Sequence, residues 1–137
     1  MKKIILISAV LFLNYCSQAQ LKDYRVVFDM SSGNSVSQQA LVREVDIIKN
    51  SSPEAKIEVV VYGKGLSLIV KDKSMHTEAI QKLLAMKDVS FKVCAITLQR
   101  NKVDKSQLIP GVEPVPDGIY ELISKQREGW GYIKVAH

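Results

Sequence analysis

Cysteine is scarce in this chain of 137 residues: there are two, Cys16 and Cys94. Histidine is equally rare. His76 and His137 have no partner at ligand spacing, so the sequence predicts neither a metal centre nor a Cys–His protease pair, and it implies no cofactor. The lysines are scattered, with no basic stripe and no interleaved aromatics, which argues against DNA or RNA as a partner. No apolar run reaches the length of a membrane span. Repeats, low-complexity tracts and long linkers are also absent, which leaves room for one domain with one core.

The first residues supply the longest apolar run. "MKKIILISAVLFLNYCSQAQ" opens on Lys2 and Lys3, continues apolar from Ile4 to Leu13, and ends in the small-residue stretch Ser17-Gln18-Ala19. That is the pattern of a secretory signal, with cleavage expected after Ala19. The domain is then residues 20–137, exported to the periplasm or secreted. Lipidation at Cys16 is the alternative, but the bulky Tyr15 stands where lipoprotein processing needs a small residue. Removing residues 1–19 takes Cys16 and two lysines away and lowers the net charge from +5 to about +3. One cysteine remains, and it has no partner for an internal disulfide.

In the mature chain, "YRVVFDM" from Tyr24, "KIEVVVY" from Lys56 and "VSFKVCAI" from Val89 are apolar at consecutive positions. Such runs suit strands covered on both faces of a parallel sheet. Helical periodicity lies between them. After "SSGNS", Leu41, Val45 and Ile48 form a stripe opposite Gln39, Arg43, Asp46 and Asn50. A second helix follows Ser74, with Ala79, Ile80, Leu83 and Leu84 inward. A third starts near Pro116-Asp117, buries Ile119, Leu122 and Ile123, and stops at Gly129. "GVEPV" and "GYIKV" supply short extra strands. The alternation predicts a three-layer α/β/α sandwich on a mostly parallel sheet of four or five strands.

Sites in such sheets gather at the carboxyl ends of the strands. Three loops qualify: Met30 to Ser35, Tyr62 to Leu66, and the chain from Cys94 onward. Cys94 ends the third strand, with Lys92 on its strand face and Arg100 shortly after, both expected to favour a thiolate together with a helix N-terminus. Apolar neighbours Val93, Ala95 and Ile96 suit a packed structural cysteine equally well. Gly63 and Gly65 in "YGKGL" read as a tight turn, "SSGNS" as a helix cap, and Asp29 as a strand-end carboxylate with no acid/base partner. Trp130 and Tyr132 read as packing for the last strand.

From Cys94 onward the chain resembles the DsrE/DsrF-like family, in particular its small exported bacterial members. The resemblance rests on Cys94 with Thr97, "Leu-x-Pro-Gly-Val" at Leu108 to Val112, "Val-Pro-x-Gly" at Val115 to Gly118, and the "Lys-Gln…Tyr-Ile-Lys" run from Lys125 to Lys134. "VVVYGKGLSLIV" also looks like the family's second strand and glycine turn. The chain departs from many relatives at Ile96 and Tyr62, where they carry Asn and His. The resemblance implies a three-layer fold, homo-oligomers such as trimers or hexamers, and sulfur relay. Cys94 would carry a persulfide between sulfur donor and acceptor proteins or small sulfane-sulfur compounds, or sense sulfur and redox species. Tyr62, Gly63, Gly65 and Thr97 would shape its pocket. The alternative is a non-catalytic oligomeric module that packs Cys94 as core. Leu66 to Val70 is the apolar segment expected to be exposed for assembly.

Overall fold

The computed structural model describes residues 23–135. The expected signal segment, Cys16 and His137 lie outside the described residues. Five strands form one sheet: β1 (Arg25–Met30), β2 (Lys56–Val61), β3 (Val89–Cys94), β4 (Glu113–Val115) and β5 (Gly131–Lys134). Their spatial order is β4-β3-β2-β1-β5, and every pairing is parallel. Parallel neighbours need crossovers, and four helices punctuate them: α1 (Ser35–Ser51), α2 (Thr77–Leu84), α3 (Ala95–Arg100) and α4 (Gly118–Arg127).

The strand period divides the sheet into two unequal faces. Alternate residues Val26, Phe28 and Met30, Ile57, Val59 and Val61, and Val89, Phe91 and Val93 build the large core with Leu41, Val45, Ile48, Ile80 and Leu83 of α1 and α2. Each such fully buried side chain contributes roughly 1.5–3 kcal/mol. α1 starts where expected, because the Asn34 side chain accepts the Val36 and Ser37 N–H groups at 2.8 and 3.2 Å. At its end Lys49 reaches forward to donate to the Pro53 and Ala55 carbonyls of the following turn at 2.5 and 2.8 Å.

The opposite face carries only a small core, Val27 and Val60 against Leu122 of α4, flanked by Tyr62 and Trp130. Polar residues fill the rest of it. Buried Glu58 accepts from Ser90 at 3.3 Å and pairs with Lys125 of α4 at 3.4 Å, while Lys125 also lies over the Trp130 ring. Burial pushes the Glu58 carboxyl up, and the Lys125 ammonium opposes this.

Two expectations about apolar surface are overturned. Leu66, Leu68, Ile69 and Val70 are buried, because a 3₁₀ turn over Gly63–Leu68 folds the segment into the large core. Ile109 N–H then clamps it through the Ile69 carbonyl at 2.9 Å. On α4, Leu122 is buried, but Ile119 and Ile123 are 47% and 48% exposed. The small core below α4 accommodates a single row, Gly118 and Leu122, so Ile119 and Ile123, each one position after that row, turn outward. The third apolar run also stops earlier than its hydropathy suggests: β3 ends at Cys94, and Ala95 and Ile96 open α3.

Candidate functional site around Cys94

Cys94 is the last residue of β3 and the N-cap of α3, with extended dihedrals φ −64° and ψ 119°. This places its side chain on the α4 face, at the carboxyl edge of the sheet. It is a free thiol and 6% exposed. Burial pushes the thiol up. Polar groups around the sulfur, the N–H of Gly118, the N–H and hydroxyl of Thr97 and the Ile96 N–H, outweigh this and hold the thiol below its ordinary range. Two helix starts thus meet at one atom.

Each donor has a local reason to be there. Asp117 caps α4 by accepting from Ile119 and Tyr120 at 2.8 and 3.4 Å, which leaves the Gly118 N–H unused by the cap and aimed at Cys94. A Cβ at Gly118 would stand 3.1 Å from the Cys94 Cβ and 3.4 Å from Val60 Cγ1, so the close approach depends on glycine. Thr97 is buried, and its Oγ1 accepts the Gly63 N–H at 3.2 Å. Gly63 manages that angle at a left-handed φ of 56°. Gly65 presses on the end of β1, where a Cβ would lie 2.3 Å from the Met30 carbonyl oxygen. The glycine turn therefore acts on the sulfur through Thr97.

The cations do not act as expected. Lys92 does share the strand face of Cys94, but it pairs with its register partner Glu113 on β4. Arg100 is exposed in the last turn of α3. The groups that favour the thiolate are backbone N–H donors and one hydroxyl, with no lysine or arginine among them.

Tyr62 follows β2 beside this pocket, its Cβ 3.6 Å from where a Gly118 Cβ would be. Burial, then the neighbouring Asp29 carboxylate, pushes its hydroxyl pKa up, while a hydrogen bond with Ser31 opposes this. Asp29 is buried near the end of β1, where Oδ2 accepts the Tyr132 hydroxyl at 2.6 Å and the Lys134 ammonium at 3.3 Å. The carboxylate raises both, Tyr132 to about 12. Tyr132 therefore does more than pack the last strand. Sequence reasoning missed the Gly118 donor, although an Asp cap followed by Gly at the first helical position was a readable signal. His76 opens α2 on the other side of the sheet, and no cluster of His, Cys, Asp or Glu suited to a metal occurs among the described residues.

A chain with this sheet and this strand-end cysteine matches the model of the DsrE/DsrF-like family over residues 22–135 and belongs to that family. Its fold is shared with a protein of unknown function, MTH1491 from Methanobacterium thermoautotrophicum, at 30% identity and a TM-score of 0.77, covering 82% of this chain and 99% of that one. The ychN protein from E. coli shares the fold at 13% identity and a TM-score of 0.68, with the same coverage. No curated protein matches the chain.

Proposed function

We propose that the protein is an exported sulfur carrier in which Cys94 holds a persulfide. The observation that carries this reading is the placement of Cys94 at the carboxyl end of β3, where it caps α3 and closely adjoins Gly118 at the start of α4, in surroundings that favour the thiolate. Membership of the DsrE/DsrF-like family supports it. Cys94–S⁻ attacks the outer sulfur of a donor R–S–SH, forming the Cys94–S–SH bond and releasing R–S⁻. An acceptor thiolate then takes that outer sulfur and restores Cys94–S⁻. The transfer is redox-neutral, and the anion reappears where the donors already point.

The signal-like residues 1–19 support export, and the exposed Ile119, Tyr120 and Ile123 on α4 support self-association beside the site. One observation favours the rival reading: at 6% exposure Cys94 has the burial of a core residue. Intact-mass spectrometry after incubation with a persulfide donor separates the two. The carrier gains one sulfur on wild type and none on Cys94→Ser, whereas a packing cysteine gains none on either and Cys94→Ser loses stability instead.

A further inference from the structure

The chain lays down β1 to β4 in one direction across the sheet and then returns to place β5 on the far side of β1. The order reverses at the β1/β5 pair, and ligands of open α/β sheets bind outside the carboxyl ends at such reversals. Asp29 and Lys134 are register partners there. Asp29 is 3% exposed, and its Oδ1 has no hydrogen-bond partner; Tyr62 comes near the carboxylate but makes no well-formed bond to that oxygen. A buried, unpartnered carboxylate oxygen calls for a donor. Lys134 donates to Oδ2 and has two further N–H groups, with the Tyr62 hydroxyl nearby, while the Tyr132 hydroxyl also donates to Oδ2. The complementary group has an ammonium for Oδ1 and a carboxylate for Lys134.

We propose that this edge binds the zwitterionic head of a low-molecular-weight thiol persulfide of the γ-glutamyl-cysteinyl type and presents its outer sulfur to Cys94. The inference rests on Cys94 being the sulfur-carrying thiol. Asp29 is in register with Lys92, so Cys94 on β3 lies two strand spacings across and two residues along from Asp29 on β1, about 12 Å away. An extended γ-glutamyl-cysteine covers about that distance, whereas free cysteine persulfide reaches about half of it. Tyr62 lies between, adjoining Cys94 through Gly118 and Asp29 through its hydroxyl. Oδ1 is closed to solvent, so the ammonium reaches it by displacing the exposed Tyr132 and Lys134 side chains. Transfer is the balanced step given above, with glutathione thiolate as the leaving group.

Calorimetry with S-methylglutathione, which carries the head but transfers no sulfur, tests the subsite by itself. Saturable binding is expected, weakened at least ten-fold in Lys134→Met and in Asp29→Asn. Because Lys134 is exposed, its variant carries the test if Asp29→Asn fails to fold. Absent binding, or equal affinity in a folded variant, overturns the inference. In loading assays glutathione persulfide should outpace thiosulfate, and Lys134→Met should slow only the former. Loading from both donors without S-methylglutathione binding sinks the subsite and leaves the carrier standing. Binding without loading from either donor sinks the carrier reading instead.

Discussion

Replacing Thr97 by valine removes one hydroxyl at nearly constant volume. In the folded protein that hydroxyl accepts the Gly63 N–H at 3.2 Å and is one of the groups that hold the Cys94 thiol below its ordinary range. Its loss should act twice. The thiolate loses a hydrogen bond to a charged group, worth about 1.5–3 kcal/mol, and each 1.4 kcal/mol lowers the thiolate fraction at a fixed pH below the thiol pKa about ten-fold. The Gly63 N–H also loses its acceptor, costing about 1 kcal/mol of stability, since Gly63 is exposed enough for water to take over. The alkylation rate of Cys94 at neutral pH should therefore fall by roughly ten- to a hundred-fold, with a modest drop in the urea midpoint. Thr97→Ser keeps the hydroxyl and should recover most of the rate. If Thr97→Val reacts like wild type, or Thr97→Ser reacts as slowly as Thr97→Val, the hydroxyl is not what poises the sulfur.

Gly118→Ala brings a Cβ to 3.1 Å from that of Cys94, an overpacking that should cost about 1–3 kcal/mol and push the α4 N–H off the sulfur. Chemical denaturation and alkylation should both register it; wild-type values in both would refute the close approach. Lys92→Met should leave the alkylation rate within about two-fold of wild type and cost at most about 1 kcal/mol, because the ion pair with Glu113 is partly exposed. A ten-fold fall would restore the lysine as the thiolate's partner. Tyr132, held at about 12 by Asp29, contributes stability that is complete below the unfolded tyrosine value of about 10 and is lost as pH rises through 12. Ultraviolet titration should show two late tyrosines, Tyr62 and Tyr132, and Asp29→Asn should return Tyr132 towards about 10.

The parallel sheet was legible because two-sided burial writes consecutive apolar residues into β1, β2 and β3, and 3.6-residue periodicity marks α1. Hydropathy failed where packing was lopsided. Ile119 and Ile123 look like core, but only Leu122 finds Val27 and Val60 beneath it. Leu66 to Val70 looks like spare apolar surface, yet a 3₁₀ turn folds it inward. At the site, Cys94 and its strand-end position were visible from pattern, whereas the choice of donors was not. Lys92 sits on the correct face, but a cross-strand register with Glu113, invisible in one strand's sequence, claims its charge. The donors that reach the sulfur are mostly backbone N–H groups, which carry no side-chain signature. Asp29 was readable as a strand-end carboxylate, but its partners Tyr132 and Lys134 come from the last strand, over a hundred residues on.

The central claim is that Cys94 takes up sulfane sulfur, and intact-mass spectrometry of the protein after exposure to glutathione persulfide addresses it most directly. The account predicts a gain of one sulfur on wild type, its absence in Cys94→Ser, and its removal when an acceptor thiol is added. A wild-type mass that does not change while the donor is intact would contradict it and leave Cys94 a packing residue.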